Sequence, residues 1–230
     1  YGMGSGLFFA GYSLSMIPSQ LIGLRIGVSR WLGILVAFWG VVAASFSCVR
    51  TVTQFYTLRF LLGAAEAGAF PAIWYYLYLM LPREALTFPF SALEASVSTA
   101  NVMSAPLAAF LLLLDGSFSL SGWQWLFLLE GLATLAIGSY AGLVLPPDIQ
   151  HARFLTAADR RMIQQQQSRA AAEIGGKEHM SQLTDASLLR EAVGNWKVWY
   201  MSVMGILKNV AANALLFWLP VIVANLLNKD

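Results

Sequence analysis

Residues 58–71 read LRFLLGAAEAGAFP, an apolar run that contains one arginine, Arg59, and one glutamate, Glu66. A charged side chain in the hydrocarbon core of a membrane is costly, so an ionisable residue inside a span indicates a functional site. Seven residues are close to two helical turns, and a helix therefore presents both side chains on one face. The pair predicts a polar pathway that handles an anion and a proton.

The composition is typical of a membrane protein. Hydrophobic residues make up 58% of the 230 residues and charged residues 11%, whereas soluble domains carry about 25% charge. Cys48 is the only cysteine, which excludes an internal disulfide and a thiolate metal cluster. The net charge of +2 is too small to indicate nucleic acid as a partner. The lipid bilayer is the expected surrounding of most side chains.

Six apolar stretches are long enough to cross a bilayer as helices, which takes about 20 residues. They are residues 1–24, 31–49, 55–81, 86–114, 122–145 and 196–227. The fold class predicted is all-α, a polytopic transmembrane helical bundle. We expect three regions: an N-terminal bundle over 1–146, a cytoplasmic central loop with amphipathic helices over 147–195, and the first helix of a second bundle over 196–230.

The loops indicate orientation, because cytoplasmic loops are enriched in lysine and arginine. With the loop 23–30 in the cytoplasm, that side carries ten basic residues and the other side two, Arg50 and Lys229. In the central loop, Thr156 is a candidate N-cap, with Asp159 in the first helical turn. Further along the loop, apolar residues recur at helical spacing. These residues are Leu183, Ala186, Leu189 and Val193.

Several strings, in this order, resemble the major facilitator superfamily and, within it, the anion:cation symporter family of allantoate, pantothenate, nicotinate and sugar-acid permeases. They are Tyr1-Gly2-Met3-Gly4 with Phe8-Phe9-Ala10-Gly11-Tyr12 and Pro18-Ser19, then Arg59-Phe60-Leu61-Leu62-Gly63 with Glu66, Gly122-Trp123-Gln124-Trp125-Leu126-Phe127-Leu128-Leu129-Glu130-Gly131, Asn195-Trp196-Lys197 and Phe217-Trp218-Leu219-Pro220. The resemblance implies a partial major-facilitator fold that covers helices two to seven of twelve. We therefore expect a fragment.

The loop after the first predicted span departs from the superfamily pattern. That pattern, Gly-x-x-x-Asp-Arg-x-Gly-Arg-Arg, has Gln20 at its first glycine and Leu24 in place of its acid in this chain. Because the acid helps to hold the cytoplasmic gate in the superfamily, gating by this loop is open to question here.

Arg59 and Glu66 are the main site candidates. A guanidinium binds both oxygens of a carboxylate at once, and the resemblance implies a substrate role for Arg59 and a role in proton coupling for Glu66. Burial favours the neutral carboxyl whereas a nearby arginine favours the carboxylate. This balance suits a group that gains and loses a proton. The alternatives are an inter-helix hydrogen-bond network for Arg59 and a neutral structural acid for Glu66.

Three further residues are candidates for substrate binding. Lys208 lies mid-span in the last predicted helix. It is either a second cationic partner for an anion or a lysine whose amine extends to the interface between membrane and water. Asn209 is its neighbour and a candidate to line the same cavity. Tyr12 is a candidate substrate contact or an aromatic packing residue.

The sequence thus predicts a multi-pass secondary transporter of the plasma membrane, or of an organelle membrane, that carries a small organic anion with a proton as coupling ion. It contains no zinc signature, no phosphate-binding glycine loop and no catalytic triad string, so we expect no enzyme activity, metal or cofactor. The alternative is a truncated, non-transporting membrane protein that acts as a binding or regulatory partner.

Overall fold

The structure is a computed structural model that describes residues 2–173, 190, 193–208 and 210. It divides the chain into two compact units, residues 1–170 and 171–230, which are considered separately here. The division falls inside the predicted central loop.

The first unit is built from helices, as the sequence predicts. In chain order they are α1 (Gly2–Ile26), α2 (Val28–Ser45), a 3-10 turn (Phe46–Cys48), α3 (Val52–Glu66), α4 (Ala69–Met80), a 3-10 turn (Arg83–Ala85), α5 (Thr87–Leu112), a 3-10 turn (Ser117–Ser119), α6 (Gly122–Val144) and α7 (Ala157–Glu173). In the second unit, residues 196–208 are helical. The remainder of the predicted sixth span and residues 183–189 of the predicted amphipathic helix lie outside the described residues.

Four stretches in the described part of the chain are long and apolar enough to cross a membrane as continuous helices: Gly2–Ile26, Val28–Cys48, Arg83–Leu112 and Gly122–Val144. The third predicted span, 55–81, is not one continuous helix: it consists of two shorter helices, α3 and α4, on either side of a joint at Ala67 and Gly68. Pro71 explains the break, because proline has no N–H to donate to the carbonyl of Ala67 and its ring clashes with that carbonyl.

The helix that carries both main candidates begins at a capping box. The Thr51 hydroxyl accepts a hydrogen bond from the Gln54 N–H (3.2 Å), and the Gln54 side chain accepts one from the Thr51 N–H (3.1 Å). The same arrangement starts α6, with Ser121 and Gln124. Each box satisfies N–H groups that the first turn of a helix leaves open. The start of α3 is therefore defined locally by Thr51 and its neighbours.

Antiparallel packing of α2 on α6 forms the most extensive helix contact, and glycines make it possible. A Cβ on Gly33 would collide with the backbone of Gly142, and one on Gly40 with the backbone of Gly131 and Leu135. Gly138 meets Ala37 in the same way. Small residues allow membrane helices to approach until their backbones touch. The α2–α6 pair is a rigid frame on which the other helices pack.

The first part of the predicted central loop packs with the first unit. Ala152, Leu155 and Ile163 form a small buried cluster. As predicted, Thr156 caps α7: its hydroxyl accepts from the Asp159 N–H at 3.2 Å and donates to the Asp159 carboxylate at 2.6 Å. The start of α7 was therefore predictable from four residues.

We predict that Gly40→Ala destabilises the protein, because the new Cβ has no room against the α6 backbone and such overpacking costs about 1–3 kcal/mol. The measurement is thermal unfolding of the product of the complete reading frame in detergent. Gly6→Ala is the control, since a Cβ at Gly6 meets nothing within 4 Å. Equal melting temperatures for the two variants would contradict the packing argument.

We also predict that Thr156→Ala weakens the first turn of α7 by about 1 kcal/mol, because the N-cap acceptor is lost. Hydrogen bonds from the Thr156 hydroxyl and N–H hold the pKa of Asp159 below its usual value. The carboxylate therefore stabilises the folded loop at neutral pH, and this contribution disappears as the pH falls through the lowered folded-state pKa.

Hydrogen exchange at the amides of residues 159–163, corrected for intrinsic rates, measures both effects. Thr156→Ser keeps the hydroxyl and should match the unsubstituted protein. Protection in Thr156→Ala that equals the unsubstituted protein at neutral pH would refute the cap.

Candidate functional site

The site is built where α1 crosses α3. The two helices run parallel: Gly4 lies against Phe55 and Arg59, and Gly11 lies against the backbone of α3 further along. At the crossing, Gly63 has no space for a Cβ because the carbonyl of Phe8 occupies it. Gly63 lies between Arg59 and Glu66 on α3, four and three residues away. The face of α3 that carries both candidates is therefore close to the face that contacts α1.

Two aromatic rings hold Arg59. Its guanidinium carbon is 5.6 Å from the ring centre of Phe46 and 5.1 Å from that of Phe55. The two rings contact each other edge to face, with centres 6.0 Å apart. Aromatic faces attract a guanidinium through their quadrupole, but they do not accept hydrogen bonds as an anion does. The rings therefore position the cation without neutralising its charge.

The Nε of Arg59 is buried, and no group in the described part of the chain accepts a hydrogen bond from it. A buried donor without an acceptor costs about 1–3 kcal/mol, and more when it is charged. Glu66 interacts with Arg59 electrostatically, but seven residues of helix separate the two by about 10 Å along the axis. The pair is thus close enough for each charge to affect the other, although it is not a contact ion pair.

Glu66 ends α3 and is partly buried. Tyr12 follows Gly11 on α1, the glycine that lies at the helix crossing. Tyr12 is itself partly buried, and its backbone N–H lies close to Gly63. Tyr12, Arg59 and Glu66 therefore belong to one region of the α1–α3 crossing, as three of the five residues singled out in the sequence.

The other two candidates lie in the second unit, residues 171–230. Lys208 is an exposed residue of the helical stretch 196–208 in the second unit, and Asn209 lies outside the described residues. Both remain predictions for substrate binding.

Sequence reasoning missed the two rings that hold Arg59. Phe55 could have been found, because it precedes Arg59 by four residues and therefore lies on the same helix face. Phe46 carried no such signal, since it reaches the guanidinium from the 3-10 turn that follows α2. The contact between Phe46 and Arg59 is therefore visible only in the tertiary structure.

Comparisons with known proteins give a consistent result. The model of the Major Facilitator Superfamily matches residues 1–229. A Pseudomonas putida protein that carries the name of a metabolite transport protein, NicT, is 34% identical over 96% of this chain and 49% of its own length. An Agrobacterium vitis protein with the name of a tartrate transporter is 36% identical over 84% of this chain and 43% of its own length.

A third relative, a quinolone resistance transporter of Acinetobacter baumannii, is 30% identical over 97% of this chain and 50% of its own length. The chain thus spans about half the length of the curated relatives it matches. The family match over almost all residues, together with helices long enough to cross a bilayer, identifies an integral, multi-pass membrane protein. The chain belongs to the major facilitator superfamily.

Proposed function

We propose that this chain is part of a secondary active transporter that couples uptake of a small organic anion, a carboxylate, to a proton in the plasma membrane. We further propose that it belongs to the anion:cation symporter family. The observation that carries the proposal is the state of Arg59: a cation on helix α3, held by two rings, whose buried Nε has no acceptor in the described part of the chain.

An anion is the natural partner for this cation. A guanidinium offers a planar fork of donors that fits both oxygens of a carboxylate. Its charge persists at every relevant pH, so the site favours an anionic ligand whatever the proton concentration. The relatives named for tartrate transport support a carboxylate as the substrate class. We also propose Tyr12, Lys208 and Asn209 as substrate-binding residues.

Glu66 is the proposed proton carrier. A carboxyl in a partly buried position is pushed towards its neutral form by the loss of water and towards its charged form by Arg59. When a substrate anion neutralises Arg59, the second effect weakens and the carboxyl holds its proton more readily. Anion binding and proton binding therefore favour each other, and this mutual effect is what symport requires.

The alternative, a non-transporting binding or regulatory partner, is not favoured, because the curated relatives are named as transporters. Proton coupling and the identity of the anion are tested together. The product of the complete reading frame is reconstituted in liposomes, and uptake of radiolabelled tartrate or nicotinate is measured. A transporter as proposed accumulates one of these carboxylates when the outside is acidic. Absence of any pH-dependent carboxylate uptake would overturn the proposal.

Arg59→Lys should raise the KM for the carboxylate roughly tenfold or more, because lysine keeps the charge but loses the paired donors of the fork. Initial rates of uptake over a range of substrate concentrations give the KM. Arg50→Lys is the matched control, since Arg50 lies in the exposed connection before α3. A KM for Arg59→Lys within twofold of the unsubstituted transporter would count against anion binding by Arg59.

Glu66→Gln should make uptake independent of pH while it preserves exchange of labelled for unlabelled substrate, because the amide cannot carry a proton. Uptake and counterflow across a pH series measure the two properties. Glu130→Gln is the control, since Glu130 is an exposed acid on α6. An unchanged pH profile in Glu66→Gln would refute the role of this carboxyl.

A further inference from the structure

The short joint between α3 and α4 is immediately after Glu66. Ala67 is completely buried, and its N–H donates to the Gly63 carbonyl at 3.1 Å. The carbonyl of Gly68 accepts from the Ala72 N–H at 3.0 Å and so begins α4. The joint is thus an ordered element with backbone hydrogen bonds on both sides.

Helix α1 contributes two polar side chains to this joint. The Gln20 side-chain amide donates to the Gly68 carbonyl at 3.0 Å. Ser19, which is only 5% exposed, lies so close to Gly68 that a Cβ there would collide with its hydroxyl oxygen. The Ser19 hydroxyl in turn accepts a hydrogen bond from the indole N–H of Trp31 on α2, at 3.1 Å. Two helices therefore hold the joint from one side.

A cavity lies beside the last turn of α3, just before the joint. It has a volume of about 230 Å³ and lies between α1, α2 and α3, where Ser19, Trp31, Ala64 and Ala65 are among its lining residues. The Gln20 amide supplies a directional contact that the packing beside this cavity does not.

Glu66 is the last residue of α3 and adjoins this joint. Only Ala67 lies between Glu66 and Gly68, whereas Arg59 lies seven residues before Glu66, about two turns into the helix. Glu66 shares its helix with Arg59, and the backbone of Tyr12 on α1 lies against Gly63, which is between the two charges along α3. The described elements that pack on α3 carry other ionisable groups: Arg25 on α1, Arg30 on α2, and Tyr75, Tyr76 and Tyr78 on α4.

We propose that Gln20 is a positioning residue for proton coupling, whose amide holds the α3–α4 joint and thereby fixes the Glu66 carboxyl relative to Tyr12 and Arg59. The inference rests on the proposed function. A side-chain amide suits this role because it donates its hydrogen bond in the same way at every pH. The joint therefore keeps its geometry whether Glu66 is charged or neutral. Gln20 also stands where the superfamily pattern has a glycine, which could not make this bond.

The test uses the product of the complete reading frame in liposomes with the carboxylate that it transports. Gln20→Met keeps the length of the side chain and removes the donor. We expect the pH midpoint of uptake to shift by about half a pH unit or more, while the KM at the optimal pH changes less than twofold. Gln124→Met is the matched control, because the Gln124 amide also bridges two elements, donating to the Ser47 carbonyl at 2.6 Å, and should lower stability without moving the pH profile.

If Gln20→Met loses counterflow altogether, Gln20→Glu provides a second test of the same hydrogen bond. A neutral carboxyl can donate to the Gly68 carbonyl, whereas a carboxylate cannot, so counterflow in Gln20→Glu should recover at acidic pH. Failure of Gln20→Glu at every pH would overturn the inference, as would a Gln20→Met profile that coincides with that of the unsubstituted transporter. If uptake by the unsubstituted transporter does not depend on pH, the proposed function itself is refuted.

Discussion

The close approach of α1 and α3 is the contact on which the candidate site depends. At Gly11 and Gly63 the two backbones touch, because neither residue has a Cβ. Close approach brings Tyr12 to the level of α3 that lies between Arg59 and Glu66. A larger residue at either glycine would separate the helices and with them the groups that interact. A polar site in an apolar bundle thus depends on the absence of two side chains.

Rigid packing elsewhere supports this crossing. The α2–α6 pair is joined by several glycines along its length, and the 3-10 turn after α2 delivers Phe46 to Arg59. The joint after α3 is held differently: the Gly68 carbonyl accepts one hydrogen bond from Gln20, and Ser19, which accepts from the Trp31 indole, lies against Gly68. The structure therefore holds the Arg59 cation between two rings and places Glu66 two helical turns later. In the proposed coupled cycle, Arg59 binds the anion and Glu66 carries the proton.

Secondary structure followed from local patterns to a large extent. The apolar stretches predicted α1, α2, α5 and α6 to within a few residues at most of their ends, because a bilayer requires long apolar helices. Thr156 predicted the start of α7, since N-cap chemistry is confined to four residues. The division of the third span between Glu66 and Ala69 was not predicted. A hydropathy profile carries no information about backbone geometry. A proline such as Pro71 is compatible with a bent helix as well as with a broken one.

The sequence by itself determined the class of protein, the helices and the identity of the two charges in α3, because these depend on composition and on neighbours along the chain. The tertiary structure alone decided which groups meet those charges. Phe46 reaches Arg59, Tyr12 lies against Gly63, and Gln20 binds Gly68 in the α3–α4 joint, over separations of 13 to 51 residues along the chain. Such contacts depend on where glycines let the helices cross, which is a property of two surfaces together and cannot be read from either one alone.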